Sequence, residues 1–174
     1  MKLTSDPSAE RATQVEVARK IALDQLAVRQ RSAHELRAAM AKRDVPEEVA
    51  DEILERFSDV GLVDDAAFAA ALTASRSGFG LRGRRRIQQE LSSKGIDRET
   101  AEEALSGLSR EDEREAALTL AKRRMRSLSG LDPVVGKRRL FGVLARRGFA
   151  SGVVVSVVEE VFADHPEPDA GDER

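Results

Sequence analysis

Apolar residues recur every three or four positions along nearly the whole chain, and charged residues fill the gaps. This is the spacing of helices that each bury one face. Val15, Ala18, Ala22 and Leu26 mark a first helix, with Ile21 on a flanking stripe. Ala33, Leu36 and Met40 mark a second, and Val49, Ile53 and Phe57 share one face of a third that can hold Pro46 in its first turn. Helices this short are unstable alone and must pack their stripes against neighbours. Strand-forming residues cluster only at Val153 to Val158, where the flanks also fit a helix.

The pattern repeats. Setting Ser32 to Leu54 against Gly83 to Leu105, an offset of 51, pairs Leu36 with Ile87, Met40 with Leu91, Val45 with Ile96 and Leu54 with Leu105. A further offset of 53 brings Gly136 to Val158 into register, with Leu140, Leu144, Phe149 and Val158 in the same four places. Asp44, Gly95 and Gly148 then align at the turn after a helix, residue types that tolerate left-handed backbone. The fold predicted is all-α, three tandem three-helix repeats with equivalent helix starts near Ser32, Gly83 and Gly136. Residues 14–60, 61–109 and 110–163 are the repeats, 1–13 a flexible N-terminus and 164–174 a disordered acidic tail.

Between the first two repeats stands GLVDDAAF, residues 61–68, with two adjacent carboxylates. As N-cap, Asp64 would accept from free backbone amides, and Asp65 in the first turn would favour the helix dipole. Val63 and Phe68 then have the spacing of a hydrophobic staple. No further metal ligand stands nearby in sequence, so the pair reads as a helix start.

Composition narrows the chemistry. The chain is 41% hydrophobic but only 3% aromatic, all of it Phe, so the core must be Ala, Leu, Val and Ile. Cysteine is absent, which excludes disulfides, thiolate metal sites and a cysteine nucleophile. Two histidines, His34 and His165, leave little for imidazole chemistry, and His34 falls on the outward side of its helix. Gly78, Gly80 and Gly83 lack the strand and the GK[ST] ending of a phosphate loop and read as a turn. No catalytic constellation and no cofactor are expected. No apolar run has the length of a signal peptide or membrane span, so a cytoplasmic protein is expected.

The net charge of −2 conceals opposed blocks: six basic residues against one acid from Arg76 to Lys94, and nine against one from Lys122 to Arg147. Arg82, Arg85, Arg86 and Gln89 are spaced as one polar stripe. Arg138, Arg139 and Arg146 take the corresponding face of the third repeat, with Lys122, Arg123 and Arg126 on the helix before. Guanidinium groups suit phosphate and carboxylate, so these nine residues are the candidate partner-binding set. Phe79 alone could stack on a base, which favours backbone phosphate or an acidic protein surface over base readout.

The runs RQRSAHEL at 29–36, GLVDDAAFA at 61–69, RGRRRIQQELSSKGI at 82–96 and RRLFGVLARRGF at 138–149 come in this order. Together they resemble the RecX family of recombination regulators, over roughly residues 14–163. The resemblance implies an elongated, curved, monomeric array without enzyme activity. It implies binding to RecA filaments on single-stranded DNA, with restraint of filament growth, strand exchange and ATP hydrolysis; weak direct DNA binding is a further expectation. The alternative is a stand-alone DNA-binding helical regulator. The first repeat departs from the arginine stripe, carrying His34 and Glu35 at the matching places, so its contacts should differ.

Overall fold

The computed structural model describes residues 7–164; the expected tail from His165 onward lies outside the described residues. Among the described residues the chain forms nine helices and no strand. They are α1 Pro7–Val28, α2 Ala33–Ala41, α3 Glu47–Asp59, α4 Asp65–Gly78, α5 Arg84–Ser93, α6 Arg98–Ser106, α7 Arg110–Met125, α8 Pro133–Arg146 and α9 Ser151–Ala163. The valine cluster lies inside α9, where Val154, Val157, Val158 and Val161 form one buried stripe, so one-sided burial outweighs strand propensity.

Two helix starts differ from the sequence reading. Residues 7–13, assigned to a flexible N-terminus, belong to α1. Residues 8–13 are exposed on every side, so no apolar stripe announces this part of the helix. The start expected near Gly136 lies at Pro133 instead. Asp132 caps α8 by accepting from the Val134 and Val135 amides at 3.0 and 3.2 Å, and Pro133 fits the first turn. Gly136 is a buried interior position whose β-carbon would press on the Phe162 ring.

The helices gather into two compact units. Unit one comprises residues up to Ala71 with Leu91–Ala101; unit two comprises Leu72–Glu90 with residues from Glu102 on. In unit one α1, α2 and α3 pack on one another around Leu36, Met40, Val49 and Ile53. In unit two α7, α8 and α9 do the same around Leu120, Leu140, Leu144 and Val157.

Each unit contains the same joint. In unit one the Ser32 hydroxyl caps α2, accepting from the Glu35 amide at 3.2 Å and donating to the Lys94 carbonyl at 2.7 Å. Asp65 accepts from the Ala33 amide at 2.9 Å. In unit two the Gly83 and Arg85 amides at the start of α5 donate to the Arg147 and Gly148 carbonyls at 2.9 and 3.2 Å. Buried Glu113 accepts from the Arg84 amide at 3.1 Å. The sequence offsets relate Ser32 to Gly83, Ala33 to Arg84 and Lys94 to Arg147. Helix-terminal amides that would lack partners thus become the adhesive between repeats. The three aligned turns are all left-handed, with φ of 56° at Asp44, 73° at Gly95 and 86° at Gly148, and the latter two supply the joint carbonyls.

The carboxylate pair at 64–65 serves two helices. Asp64 accepts from the Ala67 amide at 2.8 Å, the N-cap bond of α4. Val63 and Phe68 are both buried. Asp65 opens α4 but turns its carboxylate to α2, a role that local spacing does not reveal.

Candidate anion-binding furrow

The arginines of the two basic blocks separate into those already occupied and those without a carboxylate. α5 begins at Arg84, so Arg82 precedes the helix instead of sitting on its stripe. Arg82 pairs with Glu90, which also takes Arg76 Nε and Nη2 at 2.9 and 2.8 Å. The hydrogen bond from Arg76 outweighs burial and, with the charges of Arg76 and Arg82, holds the Glu90 carboxyl below the ordinary carboxylate range. Arg82 is therefore partly neutralised.

Unit two holds two adjoining hollows. One, of 400 Å³, is lined by Arg82, Arg86, Arg124, Val143, Arg146 and Arg147. The other, of 320 Å³, is lined by Arg124, Ser127, Leu128, Arg138, Arg139, Gly142, Val143 and Arg146. Sharing Arg124, Val143 and Arg146, they form one furrow along α8 beside the end of α7. Among the described residues no carboxylate forms an ion pair with Arg86, Arg124, Arg138, Arg139, Arg146 or Arg147. Arg147 donates to the Gly80 carbonyl at 2.9 Å, tying the turn before α5 to the furrow edge.

Of the nine residues singled out from sequence, Arg82, Arg86, Arg138, Arg139 and Arg146 line the furrow. Arg85, Lys122, Arg123 and Arg126 are exposed but do not line it. Arg124 and Arg147 were missed. Periodicity could have found Arg124, since it stands three and four residues from Ala121, Leu120 and Leu128, at the edge of the buried stripe of α7. Arg147 aligns with Lys94 at the joint. Guanidinium groups are permanently charged donors with no acceptor, so the furrow can hold anions but cannot take up a proton.

The equivalent place in unit one is chemically different. A hollow of 520 Å³ there has Arg31, His34, Glu35, Ser93 and Lys94 among its lining residues. By the offsets Arg31, Glu35, Ser93 and Lys94 correspond to Arg82, Arg86, Arg146 and Arg147. Glu35 stands where unit two has Arg86, and it binds Arg29 and Lys94 at 2.8 and 2.7 Å. Burial pushes its carboxyl up, but the hydrogen bonds and charges of Arg29 and Lys94 together bring it down to about 2. His34 is exposed, as its helix face predicts, with Gly95 packed against it. Among the described residues no cluster of His, Cys, Asp and Glu could hold a metal, and no helix is long and apolar enough to cross a membrane.

Three family models match in order: RecX first three-helix domain at residues 18–57, second at 64–105 and third at 111–158. The chain belongs to the RecX family. It is 42% identical over 154 residues to Regulatory protein RecX of Streptomyces coelicolor, covering 88% of this chain and 81% of that protein. It is 40% identical over 161 residues to Regulatory protein RecX of Thermobifida fusca, covering 88% and 86%. Its fold is similar to the crystal structure of RecX from Lactobacillus salivarius, with a TM-score of 0.78, 23% identity and coverage of 86% of this chain and 97% of that one. A crystal structure titled regulatory protein RecX gives the same TM-score of 0.78 at 26% identity, over 87% and 75% of the two chains. The all-α repeat expected from the periodicity is the RecX fold.

Proposed function

We propose that this chain is a non-enzymatic regulator that docks on RecA filaments carried on single-stranded DNA and restrains RecA recombinase, ATPase and filament extension. The observation carrying this reading is the gathering of guanidiniums without carboxylate partners in unit two. Lys122, Arg123, Arg126 and Arg85 are further exposed cations on the same elements. Such groups act by binding and take no part in proton transfer. The regulatory title of the relatives supports the same role. A filament of protein on DNA offers many anions in series, so contacts of about 1 kcal/mol each can sum to a stable complex. The test is RecA ATPase on single-stranded DNA with and without the purified chain. A clear fall in rate is expected. An unchanged rate with folded protein rejects the proposal, and sequence-specific duplex binding without RecA would favour a stand-alone DNA-binding regulator.

A further inference from the structure

We infer that the furrow of unit two is also a site for a chain of linked phosphoryl groups, the chemistry shared by nucleoside triphosphates and inorganic polyphosphate. The first argument is charge density. Arg86, Arg124, Arg146 and Arg147 converge from α5, α7 and the C-terminal end of α8 on a hollow of 400 Å³, and none of them is ion-paired to a carboxylate among the described residues. Like charges held this close repel. One carboxylate or one phosphodiester brings a single charge and leaves most of them uncompensated. Linked phosphates bring several charges into the same space, with oxygens that accept the forked guanidinium donors.

Size and lining agree with this ligand. Hollows of 400 and 320 Å³ fall within the range of small-molecule sites, roughly 300–1,000 Å³. The first is almost wholly arginine, whereas the second adds Leu128 and Gly142 to the shared Val143, an apolar part of the lining against which a nucleoside can lie. Gly142 sits inside α8, where a β-carbon would meet Arg146 Nη1 at 3.1 Å. Its bare backbone leaves room for the Arg146 guanidinium over the furrow. The corresponding hollow of unit one sets Asp24 and Glu35 among Arg31, Lys42, Arg43 and Lys94, with Glu35 ion-paired to Lys94, so only the copy in unit two is lined by cations without a carboxylate.

This site goes beyond the docking role. Its occupant would cover arginines that the proposed docking face uses, and would therefore compete with the filament. Direct titration without RecA keeps the two ideas separable. The measurement is calorimetric titration of the whole chain with inorganic tripolyphosphate, with ATP and with a single-stranded oligonucleotide, at an ionic strength of about 0.15 M. Saturable binding of tripolyphosphate at one site per chain is expected. Arg86→Ala with Arg146→Ala should weaken it about tenfold or more. Arg123→Ala with Arg126→Ala removes the same charge outside the furrow and should change it by less than about twofold. Melting curves establish that both variants are folded. Tighter binding of ATP than of tripolyphosphate would assign the nucleotide as source, and equal affinity the inorganic chain. The inference is overturned by an absence of saturable heat or by equal losses in the two double variants. It is also overturned by an oligonucleotide that binds more tightly than tripolyphosphate, which would make the furrow a path for a nucleic-acid strand.

Discussion

Gly148 is held in place twice over, by its own backbone and by its neighbours. Its φ of 86° lies in the left-handed region, and a β-carbon there would stand 2.5 Å from the Arg86 amide nitrogen. Gly61 has a similar φ of 72° with nothing within 4 Å. Both substitutions to alanine meet the left-handed penalty of about 1–2 kcal/mol, but only Gly148→Ala adds overpacking of about 1–3 kcal/mol. Gly148→Ala should therefore lower the denaturation midpoint clearly more than Gly61→Ala, and equal shifts would show that the joint yields. At Glu35 the folded carboxyl lies at about 2, below its ordinary 4.5. A depressed carboxyl contributes stability that is present above 4.5 and lost as pH falls toward 2. The contribution is on the order of 2–3 kcal/mol once solvent screening at the exposed Arg29 is allowed for. Melting temperature should fall through that window, and Glu35→Gln should flatten the fall. Some dependence should remain, because Glu90 is depressed in the same direction. Asp64→Ala removes the α4 cap and should cost about 0.5–2 kcal/mol in the same melts.

At the scale of the element, α8 sets stability against the open furrow. An interior glycine costs a helix about 0.5–1 kcal/mol relative to alanine. Gly142→Ala should thus raise the melting temperature of the chain while weakening anion binding by crowding Arg146. A gain in stability with unchanged binding would mean that Gly142 has no bearing on the furrow. What the sequence showed of such elements followed the reach of its signals. Periodicity placed the buried faces, and the alignment placed three left-handed turns, because both are local properties of a repeated segment. The early start of α1 was hidden because residues 8–13 bury nothing. The early start of α8 was hidden because the Asp132–Pro133 cap is peculiar to one copy, whereas an alignment reads only what copies share. Contacts across long separations left no local trace. Asp65 reaching Ala33, Lys94 reaching Ser32 and Arg147 reaching Gly83 are of this kind. The same blindness explains the arginines: spacing gave their helix faces, but not that Glu90 occupies Arg82 or that Arg147 joins Arg146 at the furrow.

At the scale of the whole molecule a net charge of −2 says little, because charges are paired differently in the two units. In unit one Arg11, Arg29, Arg37 and Arg56 all have carboxylate partners. In unit two the furrow arginines other than Arg82 have none among the described residues. If docking on a RecA filament depended on total charge, any two arginines of unit two could be reversed with equal effect. If it depends on the furrow, position decides. Arg86→Glu with Arg146→Glu reverses two furrow charges, and Arg123→Glu with Arg126→Glu reverses two exposed charges outside it. All four side chains are exposed, so helix content should survive in both variants. The furrow variant should lose most of its inhibition of RecA ATPase, with the remainder disappearing as salt rises, since fewer contacts are then left to offset screening. The outer variant should keep clearly more of its inhibition than the furrow variant at low salt, losing only the small contribution of two peripheral contacts. Equal losses would assign docking to net charge alone. Full inhibition by the furrow variant at every salt concentration would place the docking surface elsewhere on the chain.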